Sequence, residues 1–290
     1  MKDELNRLLE PLYGAKVESS FAASGGCINQ TQVLCLTNGK RVFMKQNSNP
    51  PTDFFLAETK GLQLLAKTKN GPRIPKPVAI QSGSRPTFLL LEYIENSSED
   101  KEFPERFARS LAELHRSSHE YFGLDHDNYI GSTPQKNTFE KDGITFFRNQ
   151  RIDFQRKLAR QSGLLPAAAD KKLDLLCDNL GSFLNISGEI PALVHGDLWS
   201  GNYFSDSAGR PCIFDPAVYY GLREADLAMT ELFGSLPQRF YDAYHEAFPL
   251  NPGYEERKDL YNLYHLLNHL NLFGSSYLSS VQQVIQRYVG

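Results

Sequence analysis

The chain has 290 residues, a formal charge of −3 and 41% hydrophobic residues. That balance, with no Lys/Arg-rich run, gives no electrostatic support to a nucleic-acid or anionic-membrane partner. No stretch approaches the roughly 18 apolar residues that make a transmembrane helix, and the charged, amphipathic MKDELNRLLEPLYG lacks the apolar centre of a signal peptide, so a cytoplasmic protein is expected.

In chain order, Ser24-Gly25-Gly26-Cys27-Ile28-Asn29 forms a glycine-rich loop, followed by the strand-like QTQVLCLT, a turn at Asn38-Gly39 and RVFMKQ. Asn-Gly between apolar runs is a strong hairpin signal, which puts Lys45 on the third strand of a meander. The next segment, DFFLAETKGLQLLAK, reads as a helix with Phe55, Leu62, Leu65 and Ala66 on one face. Glu58 shares that face, as suits a carboxylate reaching under the sheet toward Lys45. The three prolines of GPRIPKP rule out a helix, and PVAI and TFLLLEYI read as two further strands. The polar run ENSSEDKE then marks a boundary near residue 95, giving lobes 1–95 and 96–290.

The second half is mainly helical. FPERFARSLAELHRSSH carries Phe107, Leu111 and Leu114 at helical spacing, and NPGYEERKDLYNLYHLLNHLNLF repeats the pattern with Leu260, Leu263, Tyr264, Leu267 and Leu270. His115, His265 and His269 ride on these helices in packing or hydrogen-bonding roles, His115 being the one placed to brace a loop. Four cysteines, Cys27, Cys35, Cys177 and Cys212, show neither CxxC nor metal spacing, as fits a reducing compartment. Cys27 differs by its place in the glycine-rich loop, where flanking N–H groups can stabilise a thiolate, and is a candidate redox-sensitive residue.

The stretch richest in chemistry is HGDLWSGN, His195 to Asn202, followed by IFDPA with Asp215. Asp197 and Asn202 form an Asp-x-x-x-x-Asn loop, and Asp215 follows Asp197 by 18 residues, after a strand-turn-strand. Phosphoryl transfer from ATP needs such groups: one Asp to accept a hydroxyl proton, and an Asn and second Asp to hold Mg²⁺. On this reading Asp197 is the base, Asn202 and Asp215 are metal ligands, and Lys45 with Glu58 grips the phosphates. The segment Glu92-Tyr93-Ile94 then becomes the hinge whose backbone bonds the adenine. The fold expected is α+β and bilobal, protein-kinase-like, with an N-terminal antiparallel sheet lobe carrying one main helix and a larger, mainly helical C-terminal lobe. HGD stands where regulated protein kinases have HRD, IFDPA replaces DFG, no APE follows, and too few residues separate Asp215 from EADLAMTELF for an activation loop.

The runs FGLDHDNYIGSTPQKN, HGDLWSGN, FDPAVYYGLREADLAMTELFG and YNLYHLLNHLNLFG make the sequence resemble the fructosamine kinase (ketosamine-3-kinase) family, within the aminoglycoside-phosphotransferase-like branch of kinase-fold enzymes. The resemblance implies ATP-dependent phosphorylation of the sugar 3-hydroxyl of a ketoamine, on a small molecule or a protein, leading to deglycation. It carries over to Asp197 as base, Asn202 and Asp215 as metal ligands, Lys45 with Glu58, and Gly25, Gly26 and Cys27 as the nucleotide loop. Gly143 and Phe154 depart from the family pattern, where a Trp and a Pro are common, and bear on substrate preference. Trp199 can stack on a sugar or amine substituent, or pack beneath its loop. Asp125 is a candidate substrate contact, with Asp127 and Asn128 available to the substrate or the lobe interface. Alternatives are a kinase of an aminoglycoside, choline or other small alcohol, and a catalytically silent ATP-binding protein. The sequence carries no signal for an oligomeric state.

Overall fold

The computed structural model describes residues 1–23, 28–82, 87–186 and 188–290. The first helix, α1 (Lys2–Tyr13), leads into β1 (Val17–Ala22), β2 (Gln30–Leu36) and β3 (Arg41–Asn47). Helix α2 (Phe54–Leu65), β4 (Pro77–Gln81) and β5 (Thr87–Glu92) complete the lobe, whose sheet runs antiparallel in the order β1-β2-β3-β5-β4. The β2–β3 turn is the expected Asn-Gly hairpin. Gly39 takes φ 80°, which a Cβ would disfavour, and the Asn38 side chain accepts the Lys40 N–H at 3.1 Å.

Strand parity decides what each face buries. On β5, Phe88 and Leu90 join Val42 and Met44 against Leu5 and Leu9 of α1, while Leu89 and Leu91 pack with Phe54, Phe55 and Leu62 of α2. One residue past Met44, Lys45 therefore turns to the α2 side. It pairs with Thr31 and Leu89 across the sheet. A sheet covered on both faces needs the near-continuous apolar run that TFLLLE supplies.

The chain leaves the sheet at Glu92 and makes the short β6 (Asn96–Ser97) before α3 (Phe103–His115). A hairpin of β7 (Asn128–Ile130) and β8 (Thr133–Gln135) precedes α4 (Gly143–Phe146), a π-helical stretch (Phe147–Asp153), α5 (Phe154–Gln161), α6 (Ala167–Asp178) and α7 (Leu180–Leu184). Strands β9 (Ala192–Val194), β10 (Tyr203–Asp206), β11 (Pro211–Ile213) and β12 (Tyr219–Gly221) lead to α8 (Glu224–Leu232), α9 (Gln238–Ala247), α10 (Tyr254–Phe273), a 3₁₀ turn (Ser275–Tyr277) and α11 (Leu278–Val289). An antiparallel sheet lobe faces a mainly helical lobe, the bilobal arrangement expected from the sequence.

The two parts share a core. Phe55, Leu62 and Leu65 of α2 belong to one apolar cluster with Phe107 and Leu111 of α3, Leu198, Ile213 and Phe240. Gly61 brings α2 onto the second lobe, since a Cβ there would lie 3.0 Å from Val218. Arg73 adds a polar clamp, bonding Glu92 at 2.8 Å and Asp206 of the β10–β11 hairpin at 2.6 Å, while β6 pairs with β10. A second cluster fills the helical lobe around Leu260, Leu263, Leu267 and Leu270 of α10. Among the described residues no helix is long and apolar enough to cross a membrane.

Gly143 has a local explanation. It is buried at the start of α4, where a Cβ would meet the Phe122 ring at 2.8 Å and Ile186 at 3.0 Å, so the aromatic that the resemblance led one to expect has no room here.

Candidate active site

The base of the cleft is built from the loop after β9. Gly196 has φ 82°, and a Cβ on it would fall 2.1 Å from the Ala217 carbonyl oxygen, so only glycine lets this loop lie against the segment after Asp215. The N–H groups of His195 and Gly196 both donate to the Asp226 carboxylate, at 2.7 and 2.8 Å. His115 Nε2–H donates to the same carboxylate at 3.1 Å, and His115 Nδ1 lies 2.7 Å from the Tyr244 hydroxyl. Burial opposes ionisation of Asp226, but these donors outweigh it and hold its pKa below the ordinary value. His195 Nε2–H donates to the Phe214 carbonyl at 2.9 Å, and burial lowers the pKa of its ring.

Asp197 projects from this braced loop. Asn202 Nδ2 donates to the Asp197 backbone carbonyl at 2.8 Å and to its carboxylate at 3.3 Å, which leaves the carboxamide oxygen of Asn202 for another partner. Burial and the neighbouring Asp215 charge push Asp197 up to about 7, against the pull of Asn202. Asp215 sits at the end of the β10–β11 hairpin with φ 58°, a left-handed conformation that costs a non-glycine residue about 1 kcal/mol or more. The Phe214 N–H donates to the Asn202 carbonyl at 3.1 Å and fixes the approach to that turn.

Lys45 enters from the sheet above. Its ammonium, buried to 2% exposure, bonds Glu58 at 2.5 Å and also bonds Asp215. Burial opposes its charge, but the two carboxylates win and raise its pKa above the usual lysine value. Lys45, Glu58, Asp197, Asn202 and Asp215 therefore meet around one cleft. Glu92 instead pairs with Arg73, Tyr93 lies under the Arg41 guanidinium at 4.3 Å, and Ile94 is buried, all three where the chain passes between lobes. Gly25, Gly26 and Cys27 lie outside the described residues.

The remaining cleft wall comes from the β7–β8 hairpin and the end of α10: Asn128, Tyr129, Asn268, His269 and Phe273, with Trp199 beside Asp197. The Trp199 ring lines the cleft and also covers Gly201, where a Cβ would fall 2.3 Å away. Asp125 does not join this wall. It is exposed and bonds His126 at 2.5 Å, whereas Asn128 lines the cleft. Asn128 is locked there, donating to the Val218 carbonyl at 2.7 Å and accepting from Gln135 and Asn137. Asp127 bonds Lys136 and the Asn137 N–H outside the cleft.

Asp226 was missed in the sequence, as was the placement of His269 in the cleft. An Asp and a Thr within the otherwise apolar DLAMT of α8 are the signal that was available, because a carboxylate on a buried face requires donors.

Among the described residues no three His, Cys, Asp or Glu side chains converge to cage a metal ion. The Asp215 carboxylate and the Asn202 carboxamide oxygen are hard donors that suit Mg²⁺, which accepts one or two protein ligands and takes the rest from phosphates and water.

The family model for fructosamine kinase matches residues 1–290. The probable ketoamine kinase of Synechocystis sp. is 41% identical over 94% of this chain and 90% of its own length. The chloroplastic protein-ribulosamine 3-kinase of Oryza sativa subsp. japonica is 40% identical over 94% of this chain and 80% of its own length. Among solved structures, a candidate fructosamine-3-kinase from Thermobifida fusca superposes with a TM-score of 0.87 at 30% identity, covering 99% of this chain and 97% of that one. A cleft that gathers Lys45, Glu58, Asp197, Asn202 and Asp215, and this agreement along the entire sequence, lead to one conclusion: the chain belongs to the fructosamine kinase family.

Proposed function

We propose that this protein phosphorylates the sugar 3-hydroxyl of ketosamines, of the fructosamine or ribulosamine type, at the expense of ATP. The observation that carries the reading is the Asp197 carboxylate, set beside Asn202 and Asp215 in a cleft that the Lys45–Glu58 pair also lines. The names of the relatives supply the substrate class.

In this reading the ketosamine hydroxyl lies against Asp197, which takes its proton as the oxygen attacks the γ-phosphorus. The new O–P bond forms as the bond from the γ-phosphorus to the bridging oxygen breaks, and ADP leaves. Lys45 orients the phosphates, Glu58 holds Lys45, and the His115–Asp226 bracket fixes the height of the loop. Mg²⁺ held by Asn202 and Asp215 would neutralise phosphate charge. Trp199 forms the wall on which the sugar or amine rests. The backbone of Glu92 to Ile94 receives the adenine, and the glycine-rich loop with Gly25, Gly26 and Cys27 covers the phosphates. With phosphate on C3, enolisation toward C1 expels it, and hydrolysis then frees the amine, which amounts to deglycation.

ADP release with ribulosyl-lysine and fructosyl-lysine tests the assignment. Asp197→Asn is expected to lower turnover by roughly 10²–10⁴-fold. Asp215→Ala is expected to abolish it. Parent-like turnover in either variant would falsify these roles.

A further inference from the structure

Beyond the cleft the helical lobe carries a second concavity that phosphoryl transfer does not use. It is a groove of about 400 Å³ between the end of α8, the middle of α10 and the outer face of α11, lined among others by Leu232, Asn262, Leu266, Ser280, Gln283 and Val284. Only an aromatic ridge separates it from the active site. The Phe233 ring stands 4.9 Å from His269 and 6.5 Å from Trp199, and Tyr277 stands 5.1 Å from His269. Trp199 and His269 line the cleft, whereas Phe233 and Tyr277 line the groove.

We propose that this groove is a subsite for the polypeptide that flanks a ketosamine-bearing lysine. The proposal rests on the ketosamine reading above and extends it to the amine side of the substrate. Reach is the first argument. From the sugar O3 to the lysine Cα is roughly nine bonds, about 11 Å when extended. With O3 at Asp197 and the amine passing Trp199, a substrate backbone emerges at the ridge, so the residues beside the modified lysine fall across Phe233.

Chemistry is the second argument. The groove walls are apolar at Leu232, Phe233, Leu266 and Val284, with hydrogen-bonding side chains at Ser280 and Gln283. Asn262, only 5% exposed, spends its Nδ2 on the Ala228 carbonyl, and its Oδ1 has no hydrogen-bond partner among the described residues. That oxygen has almost no surface of its own, so a peptide N–H reaches it only when the Asn262 side chain turns toward the groove, a turn that the cost of a buried acceptor without a donor favours. On the rim Asp259 and Arg287 neutralise each other in an ion pair, so the groove favours backbone and apolar contacts over a charged sequence. Phe233, 38% exposed on the ridge, is the shared contact for the lysine stem on one side and the next residue on the other.

The test compares ribulosyl-lysine as the single amino acid with the same ribulosyl-lysine placed centrally in a nine-residue peptide. The parent enzyme is expected to show a kcat/KM higher for the peptide by roughly five- to tenfold. Ser280→Trp, which fills the groove from α11 without touching the cleft, should erase that preference and leave turnover of the single amino acid within about twofold, its unchanged rate being the control for folding. Val284→Trp should act alike. Equal kcat/KM for the two substrates in the parent, or a peptide preference that survives both substitutions, overturns the subsite while leaving the kinase reading intact. Failure of the parent enzyme to phosphorylate either substrate overturns the kinase reading, and the subsite with it.

Discussion

Asp226→Asn isolates the bracket beneath the catalytic loop. Three donors converge on this carboxylate: the N–H groups of His195 and Gly196 and the Nε2–H of His115. An amide in its place offers one acceptor oxygen and turns an NH₂ group toward a donor. One charge-assisted hydrogen bond is lost, at about 1.5–3 kcal/mol, and a buried donor is left unsatisfied, at about 1–3 kcal/mol. The expected loss of stability is therefore about 2.5–6 kcal/mol, a large share of the roughly 5–15 kcal/mol that holds a typical domain. Function should suffer in the fraction that remains folded, because His195 and Gly196 lead directly into Asp197. A displacement near 1 Å at a reacting group costs about 10²-fold in rate. Urea unfolding of the variant, paired with ADP release at a temperature where it is folded, reads both effects. Tyr244→Phe, which removes the hydroxyl that His115 Nδ1 and Arg223 share, should cost about 1–3 kcal/mol by leaving that buried nitrogen without a donor. An Asp226→Asn protein that unfolds within 1 kcal/mol of the parent and turns over within about twofold of it would refute the bracket.

Two further outcomes follow from the same geometry. Glu58→Gln removes one of the two charges on Lys45 and should lower kcat/KM for ATP by roughly 10–100-fold, with a raised KM; an unchanged ATP dependence contradicts the role of the pair. His265 gives a pH signature, because burial, with nearby His269 opposing its charge, lowers its pKa to about 3. Its folded pKa lies below the unfolded value near 6.5, so the unfolded chain binds the extra proton, and the stability this group contributes is complete above about pH 6.5 and lost as pH falls toward 3. The share that belongs to His265 is read as the difference between the parent and His265→Phe: between pH 7 and 5 the unfolding free energy of the parent should fall by about 2 kcal/mol relative to that of the variant, and parallel profiles for the two proteins count against the assignment.

The parts of this site that could be read in the sequence are those set by local geometry. Lys45 follows from strand parity after an Asn-Gly turn, Glu58 from helical spacing on an apolar face, and Asp197, Asn202 and Asp215 from one loop and one hairpin. What escaped depends on contacts distant in sequence. Asp226 binds backbone groups about 30 residues away, and a lone Asp in a helical run ordinarily reads as solvated. His269 sits among leucines that mark α10 as core, so the turn of that helix that opens into the cleft carries no pattern of its own. Asp125, the candidate substrate contact, is exposed and bonds His126, whereas its neighbour Asn128 lines the cleft. Asp127, the next acidic residue, is likewise spent on hairpin contacts.

The central claim is that Asp197 deprotonates the 3-hydroxyl of a ketosamine in this cleft. Its most direct test is to incubate the enzyme with ATP, Mg²⁺ and ribulosyl-lysine or fructosyl-lysine and to locate the phosphate on the product by NMR. The account predicts a single product phosphorylated on O3, absent with Asp197→Ala. Phosphate at another position of the sugar, or phosphorylation only of an aminoglycoside or choline supplied in parallel, would contradict it.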